Sequence, residues 1–258
     1  MDYRTRANSI VWDSVAEKHF QTYHIDKLIK HKPVLNELIK NEVGNVNGKT
    51  LIHLLCHIGT DTLSWKLLGA EVTGVDISTE SIKIAQQISK LTQLNAQFIV
   101  SDVMEFDTNE KYDIAFASTG VLCWIPDIDK FASIVKKLLK KNGFFYLHEG
   151  HPFMNMIKKT EHGLEIGDDY FSKKQGEYET FSDYTDQSLI ITKKTYEWDW
   201  TIGDIINSFC KIGMKIEFFR EYPQFFYYGY PGEVEVDKKE KYPCTFSMKI
   251  MNKYKNGG

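Results

Sequence analysis

Apolar and polar segments alternate along the chain in a way that predicts strands and helices in turn from about residue 48 to residue 150. Residues 51–56 form an apolar run of the length of a buried strand, and residues 71–75 form a second one that ends on Asp76. Between them, apolar side chains recur at helical spacing until Gly69. The same patterns predict a helix at residues 79–91 after Ser78, and later strands at residues 96–100, 111–117, 143–148, 213–220 and 244–252.

The order strand, turn, helix, strand, acid predicts the first half of a nucleotide-binding α/β sheet. A helix N-terminus attracts an anionic group, and Asp76 can accept hydrogen bonds from two ribose hydroxyls. NAD, FAD and S-adenosylmethionine all carry a nucleoside near an anionic group. The turn contains only Gly59, whereas Leu55 and His57 stand where a dinucleotide-binding turn has further glycines. Their side chains would crowd a pyrophosphate, which disfavours the dinucleotides.

Residues 53–78, HLLCHIGTDTLSWKLLGAEVTGVDIS, resemble the first two motifs of class I S-adenosylmethionine-dependent methyltransferases, in a branch that acts on small molecules. The resemblance covers roughly residues 48–150 and returns at residues 184–220. The chain departs from the family pattern at His53, where an acid is common, and at Trp200, where histidine is frequent. The resemblance implies an α/β, Rossmann-like fold with a seven-stranded, mostly parallel sheet, helices on both faces and an antiparallel final strand.

A single domain is expected for the 258 residues. We divide it into an N-terminal helical cap, a cofactor-binding core, a lid-like insert after the fifth strand, and a C-terminal helix with strands. These parts comprise residues 1–47, 48–150, 151–197 and 198–258.

The resemblance implies S-adenosyl-L-methionine as the cofactor, with Asp76 on the ribose. Asp102, just past the third strand, is expected at the adenine amino group with Val103 beside the ring, although Asp102 could instead cap a turn. We also expected Thr60, Asp61 and Thr62 to cap the first helix of the core with their side chains. The predicted cofactor-binding set is Leu55, Cys56, His57, Gly59, Asp61, Thr62, Asp76, Ile77, Asp102, Val103, Ser118 and Thr119.

Methyl transfer from a sulfonium is an in-line displacement, for which a protein mainly supplies positioning, desolvation and sometimes a base. The predicted catalytic candidates are His148, Glu149 and His151, where the fifth strand ends. The alternative is that His148 is only a strand residue and His151 a solvent-facing turn residue.

Aromatic residues make up 14% of the chain, and many lie beyond the predicted core sheet. Such surfaces near a cofactor often bind a planar or apolar acceptor, although they could equally pack the insert onto the sheet. The predicted substrate-binding residues are Trp12, Tyr23, Trp124, Tyr170, Tyr184, Trp198 and Trp200. The aromatic run at Phe225, Phe226, Tyr227 and Tyr228 is a further candidate for this pocket.

Composition narrows the function classes. A net charge of −3 argues against a nucleic-acid partner. No apolar run approaches the length of a membrane span, and the four scattered cysteines suit a reducing compartment, so we expect a cytoplasmic protein. His53, Cys56 and His57 do not form a metal-ligand pattern, so no metal is expected. The oligomeric state stays open.

Two other functions compete with a small-molecule methyltransferase. A catalytically inactive cofactor-binding or regulatory module would keep Asp76 and Asp102 but lack a productive substrate cavity. An NAD(P)-dependent reductase is disfavoured by the missing glycines and by the lack of a Tyr-xxx-Lys site after the fourth strand.

Overall fold

A central sheet with helices on both sides organises the computed structural model, which describes residues 1–160, 163–167, 169–171, 175–186, 188–223 and 242–253. The helices are α1 (Tyr3–Thr22), α2 (Ile25–Ile29), α3 (Glu37–Val43), α4 (Thr60–Leu67), α5 (Thr79–Thr92), α6 (Ile128–Leu138) and α7 (Ile202–Lys211). Short 3₁₀ turns occupy Leu122–Trp124 and Pro152–Met156. The strands of the central sheet are β1 (Thr50–Leu54), β2 (Glu71–Asp76), β3 (Gln97–Val100), β4 (Tyr112–Ser118), β5 (Leu139–Gly150), β12 (Lys215–Tyr222) and β13 (Thr245–Met251).

The sheet has the order β12-β13-β5-β4-β1-β2-β3. Strands β5, β4, β1, β2 and β3 run parallel to one another, whereas β13 is antiparallel to both β5 and β12. The predicted fold class is therefore confirmed, including its antiparallel end. Because the parallel strands end at one edge, the segments that follow β1, β2, β3 and β4 come together there.

Both faces of the central strands are buried, which explains why β1, β2 and β4 read as nearly continuous apolar runs. Along β1, Leu51 packs with Trp65 of α4, whereas Ile52 and Leu54 pack with Phe131 of α6 on the opposite face. This alternation follows from the two-residue period of a strand. Burial on two faces thus fixes β1 as a central strand.

Helix α1 joins the sheet layer to the insert. Asp13 accepts hydrogen bonds from Ser78 Oγ at 2.7 Å and from the amide of Glu80 at 3.0 Å, so α1 docks on the start of α5. On the same helix, Asn8 donates to the carbonyl of Tyr196 at 2.7 Å and accepts from its amide at 2.8 Å. The N-terminal helix therefore lies over the carboxyl edge of β2, beside the predicted ribose site.

The insert consists of short antiparallel strand pairs in its described part. The pairs are β6 with β7, β9 with β10, and β8 with β11. Their bounds are β6 (Ile157–Thr160), β7 (Gly163–Ile166), β8 (Gln175–Tyr178), β9 (Phe181–Ser182), β10 (Ile190–Ile191) and β11 (Thr195–Trp198). The strand and helix alternation of the core therefore lapses here, as the sequence predicts.

The start of the fifth strand was predicted wrongly. The sequence pattern predicted this strand at residues 143–148, yet β5 begins at Leu139, directly after α6. Tyr112 pairs with Leu139 and Ile114 already pairs with Phe144, so β5 carries extra residues in an irregularity of the ladder. Asn142 has a positive φ of 65° within this irregular stretch.

Candidate active site

The turn after β1 has an unusual left-handed backbone. Leu55, His57 and Gly59 have φ values of 55°, 50° and 75°. Non-glycine residues in this region are strained by on the order of 1–3 kcal/mol each, and such strain clusters at functional sites. Leu55 and His57 therefore do stand at positions that favour glycine, as the motif comparison suggested, and Cys56 between them donates its amide to Val75 at 3.0 Å.

The N-terminus of α4 opens at the end of this turn. Gly59 is the N-cap and makes no side-chain cap, so the expected capping by Thr60, Asp61 and Thr62 was wrong. The hydroxyl of Thr62 instead lies 2.8 Å from His53 Nδ1 in the core. A helix N-terminus without a side-chain cap is suited to an anionic ligand group.

Asp76, at the tip of β2, has a carboxylate held by two main-chain amides. Its Oδ2 accepts from His57 at 2.7 Å, and its Oδ1 accepts from Ser78 at 2.9 Å. Each oxygen of a carboxylate can accept about two hydrogen bonds, so each keeps capacity for a ligand hydroxyl. Burial raises the pKa of Asp76 to about 6, against the lowering effect of the amides. Burial likewise raises the pKa of Asp61 to about 6.

Asp102 lies beside Asp76 at the tip of β3. The amide of Ser101 donates to the carbonyl of Asp76 at 2.8 Å, which aligns the ends of the two strands. Asp102 Oδ1 accepts from the amide of Met104 at 2.9 Å, so the residue does cap a turn. That turn engages Oδ1 and no hydrogen bond to Oδ2 is found among the described residues, so turn capping and ligand binding are compatible. Val103 packs into the core beneath.

Glu149 anchors the loop after β4. Its Oε1 accepts from the amides of Gly120 at 2.6 Å and Gly150 at 2.7 Å, and its Oε2 from those of Val121 at 2.7 Å and Leu122 at 2.9 Å. Four hydrogen bonds use the roughly four acceptor positions of a carboxylate. Glu149 therefore positions the loop after β4, and its catalytic role stays a prediction.

The two predicted catalytic histidines occupy different surroundings. His148 pairs in register with Ser118, and its Nδ1 lies 2.9 Å from the hydroxyl of Thr119. Burial lowers the pKa of His148 to about 4, so its imidazole is neutral at neutral pH and can accept a proton. His151 points toward β12, where it lies 3.0 Å from Glu221, and it is only 6% exposed. His151 is thus buried, not the solvent-facing residue of the alternative interpretation.

Four of the predicted acceptor-binding residues meet in one aromatic cluster, which we define as Trp12, Tyr23, Trp124 and Tyr184 with His19 and His57. The ring of Trp12 lies 5.4 Å from that of Trp124 and 6.5 Å from that of Tyr184. The hydroxyls of Tyr23 and Tyr184 are 2.5 Å apart. The cluster joins α1, the loop after β4 and the insert next to the turn after β1.

The other predicted aromatic residues make different contacts. Trp200 packs against the core and donates from Nε1 to the carbonyl of Ile125 at 2.9 Å. Tyr170 accepts from the amide of Ile202 at 3.1 Å, and Trp198 lies beneath Arg4. Phe225 to Tyr228 lie outside the described residues. A substrate role for Tyr170, Trp198 and Trp200 stays a prediction.

Two residues of the site were missed by sequence reasoning. His19 of α1 bridges His57 and Asp183, the latter following β9 in the insert. His19 and Asp183 are separated by 164 positions, and no local pattern connects them. A buried histidine within an otherwise apolar helical stripe was the one available signal.

A family model described as "Methyltransferase domain" matches residues 47–194. The chain belongs to this methyltransferase domain family. The resemblance predicted from residues 53–78 is thereby confirmed, and the matched range includes the turn after β1, Asp76, Asp102 and most of the insert.

Curated relatives of this methyltransferase chain are distant. A ubiquinone biosynthesis O-methyltransferase from Glaesserella parasuis is 26% identical over 147 residues, covering 55% of this chain and 60% of the relative. Methyltransferase phqN from Penicillium fellutanum is 25% identical and is covered to 41% of its length, with 49% of this chain aligned. The chain thus spans about half the length of these curated relatives.

Solved methyltransferase structures share the fold over most of the chain. An S-adenosylmethionine-dependent methyltransferase from Mesorhizobium loti superposes with a TM-score of 0.62 at 16% identity, covering 83% of this chain and 95% of its own. One from Clostridium acetobutylicum has a TM-score of 0.56 at 14% identity and covers 98% of this chain and 93% of its own. At these identities the agreement establishes the shared architecture.

Membrane-spanning helices and metal-binding clusters are both absent from the described part of the chain. No helix there has the length and hydropathy needed to cross a bilayer. Nor does any group of three or more His, Cys, Asp and Glu residues among those described have an arrangement that could hold a metal ion.

Proposed function

We propose that this protein transfers a methyl group from S-adenosylmethionine to a small-molecule acceptor. The observation that carries the proposal is the juxtaposition of Asp76, with unused acceptor capacity on both oxygens, and the left-handed turn that opens onto α4. When bound, the cofactor would supply a methyl group activated by its sulfonium. The chain would contribute binding, orientation and exclusion of water.

The donor and acceptor groups at this edge fit such a cofactor. Asp76 would accept from the ribose hydroxyls, and the amides at the start of α4 suit the methionine carboxylate. The side chains of Leu55 and His57 leave less room beside the turn than glycines would, which suits a methionine tail better than a pyrophosphate. Membership of the methyltransferase domain family supports the same choice.

Asp102 is proposed to accept from the adenine amino group, supported by its position beside Asp76 and by its Oδ2, which the turn does not use. Asp102→Ala should weaken cofactor binding by at least about tenfold, since one hydrogen bond to a charged group is lost. Asp102→Asn should cost less, because the amide oxygen can still accept. Calorimetry with S-adenosylhomocysteine measures both variants, and equal, negligible effects would leave Asp102 with its turn-capping role alone.

The acceptor is proposed to lie against the aromatic cluster, next to the loop after β4. The curated relatives whose names specify a process are O-methyltransferases of ubiquinone biosynthesis, a small-molecule pathway, and the net charge of −3 gives no support to a polyanionic acceptor. His148 is proposed as the proton acceptor when the acceptor atom carries a proton, because its Nδ1 lies beside Thr119 where β5 ends. Its pKa of about 4 makes it a weak base at neutral pH, so we expect a modest contribution from it.

Trp124→Ala should raise the acceptor KM at least about fivefold, since an aromatic contact and its buried area are lost. Cofactor affinity should change little, because Trp124 joins the cluster through the ring of Trp12 and not through the turn after β1. Phe209→Leu, a change in the buried core that leaves the aromatic cluster intact, provides the control. An unchanged KM in Trp124→Ala would move the acceptor site away from this cluster.

The proposal is tested with the purified protein and a choice of ligands. Calorimetry should detect one molecule of S-adenosylhomocysteine per chain and no binding of NAD⁺ or NADP⁺ at the same concentrations. Incubation with methyl-labelled cofactor and fractionated metabolite extracts should then label a small molecule. Nicotinamide binding without adenosylhomocysteine binding would favour the reductase. Cofactor binding without transfer to any fraction would favour the inactive module.

A further inference from the structure

A buried chain of polar side chains connects the insert to the turn after β1. Asp183 Oδ2 lies 2.8 Å from His19 Nε2, and His19 Nδ1 lies 2.7 Å from His57 Nε2. The chain ends at Ser81 on α5, whose hydroxyl lies 3.0 Å from His57 Nδ1. We call these four residues the relay. Three separate parts of the fold, the insert, α1 and the cofactor-binding core, meet in it.

Burial fixes the hydrogen-bond partners of His19 and Asp183 in the relay. His19 is fully buried and Asp183 is 2% exposed, so neither can exchange its partner for water without loss. The pKa of Asp183 is lowered to about 2 by hydrogen bonds from His19 and Thr185, in spite of burial. Asp183 is therefore an ionised acceptor, and the Nε2 of His19 must carry a proton toward it.

Because His19 Nε2 carries a proton, the positions of the protons in the other two relay hydrogen bonds depend only on whether His19 is neutral or protonated. With a neutral His19, its Nδ1 accepts from His57 Nε2–H, and His57 Nδ1 accepts from the hydroxyl of Ser81. With a protonated His19, both bonds reverse, and His57 donates from Nδ1 to Ser81. In each state every ring nitrogen keeps a partner. The Asp183 carboxylate thus holds the rings of His19 and His57 in place whichever state is present.

His57 is also the residue whose main chain reaches the ribose-binding acid. Its amide donates to Asp76 Oδ2 at 2.7 Å while its backbone has the positive φ of 50°. A histidine in this conformation is strained, and its ring bonds to His19 and Ser81 offset that strain. His57 therefore couples Asp183 to Asp76, because its ring belongs to the relay and its amide donates to Asp76.

We propose that Asp183 and His19 are positioning residues for the cofactor site, acting through His57 on the turn after β1. The proposal rests on the proposed function, since it names what holds the S-adenosylmethionine turn in its binding conformation. It also gives the insert a role in cofactor binding in addition to any role as a lid over the acceptor. Binding of the cofactor and docking of the insert on α1 should then favour each other.

Asp183→Ala is the first test, measured as the affinity for S-adenosylhomocysteine by calorimetry. We expect it to weaken about tenfold, because the buried Nε2–H of His19 loses its acceptor and the relay loses its anchor. Asp183→Asn should stay within about threefold of the parent, since an amide can hold a ring nitrogen through its oxygen or its nitrogen. The matched control is Asp186→Ala, because Asp186 pairs with Lys18 at 2.9 Å and joins the same loop to α1 at the surface. This control should bind as the parent protein does.

A double-mutant cycle separates the relay from general loosening of the insert. His57→Gly keeps the left-handed turn but removes the ring. In that background Asp183→Ala should change the affinity by less than about twofold, because its path to the turn is already broken. Ser81→Ala breaks the relay from its other end without touching the insert, and should weaken binding about threefold even if Asp183→Ala does not fold.

Nitrogen-15 NMR of the histidines gives a readout independent of ligand binding. The Nε2 of His19 should carry a proton in the parent protein, and Asp183→Ala should shift the nitrogen resonances of both His19 and His57. Equal losses of affinity in Asp183→Ala and Asp186→Ala, additive effects in the cycle, or unchanged His57 resonances would each overturn the proposal. A parent protein that does not bind adenosylhomocysteine would instead refute the proposed function.

Discussion

Asp76→Ala is expected to weaken the binding of S-adenosylhomocysteine at least tenfold. A hydrogen bond to a charged group contributes about 1.5–3 kcal/mol, and a loss of about 1.4 kcal/mol is already a factor of ten. The substitution also leaves the amides of His57 and Ser78 without their acceptor, so the turn itself should loosen. Calorimetry on the folded variant measures the effect.

The matched control for Asp76 is Asp113→Ala. Asp113 accepts from both the amide and the hydroxyl of Thr50 at 2.9 Å, at the amino end of β1. It is thus also a strand-end carboxylate with a main-chain partner, at the edge of the sheet opposite the site. Its loss should lower the melting temperature and leave ligand affinity unchanged. Unaltered affinity in Asp76→Ala would remove the ribose assignment.

Cofactor affinity should also depend on pH through Asp76. Its pKa is raised to about 6 in the free protein by burial, so the carboxyl gains a proton and loses its charge as the pH falls through that value. Ribose hydroxyls bind best to the ionised form, so affinity should rise between about pH 5 and 7 and then level off. Asp76→Asn should lack this step. A step that persists in the variant would belong to Asp61, whose pKa is also raised to about 6.

Glu149→Ala is expected to destabilise the protein by at least about 3 kcal/mol, since each buried amide left without an acceptor costs about 1–3 kcal/mol. Four amides depend on this carboxylate, and three of them belong to the loop of Gly120, Val121 and Leu122. Thermal unfolding should show a melting temperature lower by several degrees. Chemical denaturation with urea gives the free energy directly.

Glu221→Ala provides the control for Glu149. Glu221 pairs with His151 but is half exposed, and such pairs contribute only about 0–1 kcal/mol. A Glu149→Ala protein as stable as the parent but without methyl transfer would restore the catalytic role predicted from the sequence. Comparable losses of stability and activity would match the anchoring role.

Local sequence was sufficient to predict an element where the neighbouring residues in the chain decide its conformation. Ser78 begins α5 because its side chain reaches the amide three residues ahead. The apolar runs of β1 and β2 predicted buried parallel strands, and Asp76 followed from its place at a strand end. The family resemblance then supplied the order of the later strands. The fold class could therefore be predicted before any coordinates were available.

The partners of polar side chains could not be predicted in this way. Glu149 and His148 are neighbours in β5, yet alternate sides of the strand send one to the loop amides and the other to Thr119. The early start of β5 was likewise hidden, because it depends on a bulge opposite Tyr112 and Ile114 of another strand. The partners of these side chains and the start of β5 both depend on the hydrogen-bonding groups of the adjacent strand or loop.

The sequence by itself determined the buried strands β1 and β2, the start of α5 and the acids at the strand ends, because these depend on periodicity and on contacts a few residues apart. Only the tertiary structure decided that Asp183 meets His19, and through it His57, since 164 positions separate the first two. The insert must fold back over α1 before that carboxylate has a donor to bind. Which buried group pairs with which is therefore set by packing between distant segments, where local sequence carries no signal.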